Sequence, residues 1–150
     1  MSKGISGLFE ETEGQQRCNS RSISEIKSEA ESKIKTLISD QPGGKTKAMV
    51  VGAYDICTGQ TIAAFAGAVP SDIHPLLIER ANMIGGIGSL GVTSKNTVGV
   101  CAEFHAVNNL LNSGSDISNI RLTRPIRPRT GGAMPYCENC KIMFADLIED

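Results

Sequence analysis

The chain has 150 residues, 40% of them apolar and 21% charged, with a formal net charge of −1. That length holds one domain with a core of ordinary size, and the near-neutral charge argues neither for nor against a polyanionic partner. Four Phe, two Tyr and no Trp leave little for a surface that grips single strands mainly by stacking bases on rings.

No apolar run approaches the roughly 20 residues needed to cross a bilayer, so no membrane association is expected. The start Met1-Ser2-Lys3-Gly4 lacks the apolar stretch of a signal peptide; export by a route that uses other parts of a longer chain stays open. Residues 1–21 are polar, contain Gly4, Gly7 and Gly14, and keep no period, so they read as a flexible lead-in or the end of a linker. The domain is expected over residues 22–150. Ile23, Ile26, Ala30, Ile34 and Leu37 then recur at three and four residues, the spacing of one helix face. Ser22 with Glu25 has the form of a capping box, and Gln41-Pro42-Gly43-Gly44 ends the helix. Lys47–Ile56 and Gln60–Ala66 read as two strands of a hairpin turning at Thr58-Gly59.

Ser71-Asp72 starts a second helix, and the Gly- and Ser-rich stretch 85–99 reads as a loop. Its Gly85-Gly86-Ile87-Gly88 has the wrong spacing for a dinucleotide fingerprint and reads instead as a flexible loop that could gate the pocket. A helix is expected from Cys101 to Leu111, a strand over Ile117–Ile126 with Pro125 at its end or edge, and a last helix from Cys137. Helix, two strands, two helices, strand, helix suits a sheet covered by helices, an α/β layered domain.

Five cysteines are an odd number, and two form a C-x-x-C. That points to metal or redox chemistry in a reducing compartment rather than a disulfide framework, with Cys18 and Cys57 as ordinary thiols. Cys101, Cys137 and Cys140 all fall at helix starts, where the positive end of the dipole lowers a thiol's pKa and favours metal binding. Three protein ligands leave a fourth tetrahedral position open, as in a catalytic zinc site. On a helical wheel Glu103 falls between Val107 and Leu110 on the apolar face, with His105, Asn108 and Asn109 opposite. A carboxylate aimed into a core is costly unless protonated or partnered; beside a zinc-bound water it would act as a general base and acid.

Cys101-Ala102-Glu103 at one helix start and Pro135-x-Cys137-x-x-Cys140 at the next resemble the signature of the cytidine-deaminase superfamily, in which a glutamate outside the coordination sphere moves the protons. The superfamily usually has Pro directly before the first Cys of the pair; here Tyr136 intervenes. Tyr54-Asp55 with Thr58-Gly59, Ile73-His74-Pro75-Leu76, Cys101 to Asn108 and Cys137-Glu138-Asn139-Cys140 are further similar to the YwqJ-like deaminases, toxin domains at the C-termini of large bacterial polymorphic toxins. The likeness covers residue 47 to the end. It implies a three-layer α/β/α fold with a mixed sheet of about five strands, a zinc ion, a nucleic-acid substrate and an immunity protein. It also implies secretion, with action in the cytoplasm of a target bacterial cell.

Arg121, Arg124, Arg127 and Arg129 lead into the Cys137–Cys140 helix with no acid between Ile117 and Tyr136. Four guanidinium groups there suit the phosphates of a strand fed to the site; alternating Arg on a solvated edge strand is the plainer reading. Candidate substrate contacts are His74, Tyr54, Arg127, Arg129 and Tyr136, with His74 before a proline equally a turn residue. His105 could ligate the metal or sit on the polar rim, and the three cysteines could close a structural zinc site with Cys18 or Cys57. The expected activity is hydrolytic conversion of cytosine to uracil in single-stranded nucleic acid, DNA ahead of RNA, with Glu103 as the catalytic residue. The rivals are deamination of free cytidine, an adenine target, and a non-catalytic zinc domain that binds a partner.

Overall fold

A computed structural model describes Cys18, residues 20–93 and residues 95–148. The expected lead-in over 1–21 therefore lies outside the described residues, apart from Cys18, Ser20 and Arg21. Helix α1 (Ile23–Asp40) starts at a capping box: Ser22 Oγ accepts from the Glu25 N–H at 3.2 Å, and Glu25 Oε1 accepts from the Ser22 N–H at 2.9 Å. Its Ile26, Ala30 and Ile34 are buried, whereas Ile23 at the edge of the stripe is exposed.

Strands β1 (Val50–Asp55) and β2 (Thr61–Phe65) pair antiparallel with Val50 opposite Phe65 and Tyr54 opposite Thr61. Asp55 builds the turn between them. Its Oδ1 accepts from the Cys57 and Thr58 N–H groups at 2.8 and 2.9 Å, and its Oδ2 from Ser115 Oγ at 2.7 Å, so this buried carboxylate has no idle oxygen.

Helix α2 (Pro75–Asn82) has proline at its first position, and helix α3 (Ala102–Asn112) is buried over most of its surface. Strand β3 (Ile120–Leu122) is shorter than the expected run to Ile126. Thr123 breaks the ladder: its Oγ1 takes the Gly52 N–H at 2.9 Å while its own N–H bonds the Gly52 carbonyl at 2.8 Å. Pro125 has no N–H to offer, and pairing resumes only as a bridge between Ile126 and Val50. Helix α4 (Glu138–Met143) follows, and the Arg80 guanidinium ties α2 to the turn beyond it through Asp146 (2.8 and 2.9 Å) and the Met143 carbonyl (2.6 Å).

The sheet order is β2-β1-β3, antiparallel throughout. About five strands in a mixed sheet were expected. The described residues hold three, which equals the number of extended runs the chain itself carries; the larger figure came with the family resemblance. Every residue of β1 is buried because both faces of the sheet are covered. Tyr54 packs against Ile26 and Ala30 of α1, while Val51 and Ala53 join Phe104, Val107, Leu110 and Phe144 on the α3 and α4 side. Gly52 is where α1 comes closest: a Cβ there would stand 3.1 Å from the Ala30 carbonyl oxygen. No helix among the described residues is long and apolar enough to cross a membrane.

Cys18 and Cys57 are not ordinary thiols; they form a disulfide across 39 residues. Ile56 packs on the cluster of Ile26, Ala30 and Tyr54, which brings the turn after β1 to the start of α1 and sets Cys57 beside Cys18. Closing a loop of that length restricts the unfolded chain by about 4 kcal/mol in the chain-entropy model. Cys57→Ser should therefore lower the unfolding free energy by roughly that amount in denaturant melts, and reductant should shift the wild type in the same direction with little effect on the variant.

Candidate metal centre and the cavity beside it

Two helix starts build the site. Cys101 is the residue before α3 and Cys137 the residue before α4; neither side chain makes a capping hydrogen bond to its own helix. Cys140, one turn into α4, is fully buried and faces back toward them. The three sulfurs lie within 4.8 Å of one another, and among the described residues no His, Asp, Glu or further Cys completes a fourth corner. A tetrahedral ion with metal–sulfur bonds of about 2.3 Å spaces its sulfurs about 3.8 Å apart, so the cluster could hold a metal ion after a small contraction. The pairing of Cys18 with Cys57 removes both from any closed four-cysteine site. His105 turns its Nε2 to the Gly67 carbonyl at 3.3 Å, away from a ligand role.

The thiols bias one another. Cys137 is driven well below the usual thiol range because Cys101 and Cys140 both donate to its sulfur, with help from the N–H groups of Cys140 and Asn139. Cys101 and Cys140 are correspondingly raised, by those same hydrogen bonds and by burial. The cluster thus shares one thiolate before any metal arrives.

Glu103 is 2% exposed. Burial pushes its carboxyl up to about 6, against hydrogen bonds from its own N–H and that of Cys137 that pull it down. The Cys137 N–H reaches Oε2 at 3.3 Å. Glu103 is one residue into α3, so the turn that delivers Cys101 to the cluster also delivers this carboxyl beside it.

Cys101, Glu103 and Cys137 open on a cavity of about 800 Å³, within the range of small-molecule sites. Met49, Ala66, Val100 and Met134 give it apolar walls, while Lys95 and Arg127 bring positive charge. Of the four arginines, Arg127 alone is among the lining residues. Arg121 bonds the carbonyls of Ser118 and Ile120, Arg124 lies 6.0 Å above the Tyr136 ring, and Arg129 is exposed.

The remaining candidate contacts separate. Tyr136 borders the cavity but is 5% exposed, with its hydroxyl donating to the Thr123 carbonyl at 2.9 Å. The residue that interrupts the Pro–Cys pattern is thus an anchor for the loop over the cluster. Tyr54 belongs to the α1 face of the sheet, the side away from α3. His74 is not among the lining residues; its Nδ1 caps α2 by accepting from the Leu76 N–H at 3.1 Å.

Two positions of consequence were not foreseen. Asn108, placed on the polar side by the helical wheel, is 3% exposed. It clamps the β2–α2 loop by accepting from the His74 N–H at 2.9 Å and donating to the Asp72 carbonyl at 2.8 Å. Asn139, inside the C-x-x-C, is fully buried and bonds the 90–96 loop.

Metal binding must expel the protons of Cys101 and Cys140 but none from Cys137. The logarithm of the apparent affinity for Zn²⁺ or Co²⁺ should rise near neutrality with a slope of about two per pH unit, measurable by chelator competition. For Glu103 the folded carboxyl titrates near 6 rather than 4.5, so its contribution is fully present below 4.5 and is lost as pH rises through 6. In metal-free protein Glu103→Gln should gain about 2 kcal/mol at pH 7.5 and nothing near pH 4, read from urea melts at the two pH values.

No protein-family model, curated protein or solved structure matches this chain at a significant level.

Proposed function

We propose that the chain is a zinc-dependent hydrolytic deaminase that converts cytosine to uracil in single-stranded nucleic acid, DNA ahead of RNA. One observation carries this reading: a buried carboxyl, Glu103, sits beside a three-thiol cluster with an open corner, at the wall of a cavity. Three thiolates with no carboxylate or imidazole suit zinc among the common divalent ions. A four-cornered structural site would need no such carboxyl and no cavity.

When bound at Cys101, Cys137 and Cys140, zinc supplies a water acidic enough to be a nucleophile near neutral pH. Glu103 would take the two protons of the water in turn at its carboxylate oxygen, passing the first to N3 of the ring and the second to the departing amine. The Cys137 N–H fixes Oε2, which leaves Oε1 for the proton. The apolar walls would receive the base, while Arg127 and Lys95 would meet phosphate. Overall, cytosine and water become uracil and ammonia.

The α1–sheet–α3 layering agrees with the layered α/β architecture of the proposal, while the cytidine-deaminase-like, YwqJ-like assignment rests on the sequence motifs. The Cys18–Cys57 disulfide, in a chain that keeps three other cysteines unbonded, suits a protein that passes through an oxidising compartment. It favours a secreted domain over one confined to a reducing compartment; the toxin role and the immunity protein are proposed on the sequence resemblance.

The test is incubation of zinc-loaded protein with single-stranded DNA, duplex DNA, RNA and free cytidine, scoring uracil and inosine. Uracil in the single strand is expected, with Glu103→Ala slower by about 10²–10⁴-fold and Arg127→Ala raising KM more than it lowers kcat. Uracil from free cytidine alone would overturn the nucleic-acid assignment, and an undiminished Glu103→Ala would overturn the mechanism.

A further inference from the structure

Asn139 lies between two candidate ligands, yet all its side-chain hydrogen bonds run to the loop. Oδ1 accepts from the Val92 N–H at 2.8 Å, and Nδ2 donates to the carbonyls of Asn96 at 3.0 Å and Leu90 at 3.2 Å. Both donors and one acceptor lone pair of a fully buried amide are thereby used. The loop is shaped to receive it. Gly91 has φ +62°, and a Cβ there would run into Asn139 Oδ1. Held in this way, the loop places Asn96 Nδ2 3.6 Å from Cys137 Sγ as a donor and sets Lys95 at the cavity wall.

We propose that Asn139 is a positioning residue for the metal centre, docking the 90–96 loop so that Asn96 donates a hydrogen bond to the Cys137 sulfur. The inference rests on the metal reading of the three cysteines. Three thiolates around a divalent ion leave a net charge of −1 in a half-buried site, and an N–H donor withdraws density from the sulfur it reaches. Partners of this kind tune ligand strength as well as orientation. Asn96 is exposed, so its bond depends on the loop being held, and Asn139 is what holds it.

Co²⁺ is the probe, because its sulfur-to-metal charge-transfer band reports ligand electron density without reference to activity. Asn96→Ala should move that band to longer wavelength and weaken Co²⁺ binding about tenfold. Asn139→Ala should move it in the same direction, and the double variant no further than Asn139→Ala. Gly91→Ala, which crowds the Asn139 amide from the loop side and leaves α4 unchanged, should repeat the shift and stands in if Asn139→Ala fails to fold. A purely structural Asn139 would lower stability and leave the band in place. If wild-type protein gives no charge-transfer band, the metal reading falls and the inference with it; a band that none of the variants moves overturns the inference alone.

Discussion

The burial of α3 is the constraint on which the rest depends. Packed between the sheet and the residues of α2 and α4, with Phe104 and Phe144 in ring contact at 6.5 Å, it cannot slide or rotate without opening the core. Its first turn is therefore fixed in space, and that turn carries both Cys101 and Glu103. A core of this density transmits position, so a carboxyl that would otherwise seek water is kept where the fold puts it. The cost of keeping it there appears as a carboxyl titrating near 6. Sites of chemistry commonly carry such stored cost, while an ordinary core position would hold leucine.

Much of this was legible in the chain because the signals were local. A capping box spans three residues, a C-x-x-C one helical turn, and the apolar-face placement of Glu103 needs only the helical period. The hairpin could be read from Thr58-Gly59, although the residue that organises it is Asp55, whose contacts include Ser115 at a separation of 60 residues. What stayed hidden depends on distant partners. The buried amides of Asn108 and Asn139 have the composition of a surface and gain their meaning from carbonyls and N–H groups 34 to 49 residues away. Tyr54 alternates correctly along β1, but alternation alone does not say which face meets which helix. The early end of β3 follows from one threonine hydroxyl competing for a ladder position, a choice that propensity does not encode.

The cysteines divide by topology rather than by number. An odd count with a C-x-x-C argued against disulfides, yet two of the five are cross-linked at the α1 end of the sheet while three converge where α3 and α4 begin. The fold keeps the two sets on different elements, so oxidation of one pair does not consume the three clustered thiols. The arginines divide in a similar way: backbone carbonyls, an aromatic face and solvent take three of them, and one lines the cavity.

The cross-link also decides how the domain answers to mechanical load. A pull arriving from the N-terminal side of Cys18 passes through the sulfurs to the turn after β1, bypassing α1. Helix α1 is shielded from peeling, and the force falls on the hairpin at the centre of the sheet. Drawn through a conduit that admits one extended strand, the domain would present a closed loop of 39 residues' separation that does not thread. Reduction of Cys18–Cys57 then becomes the step that allows passage, leaving α1 free to unwind first.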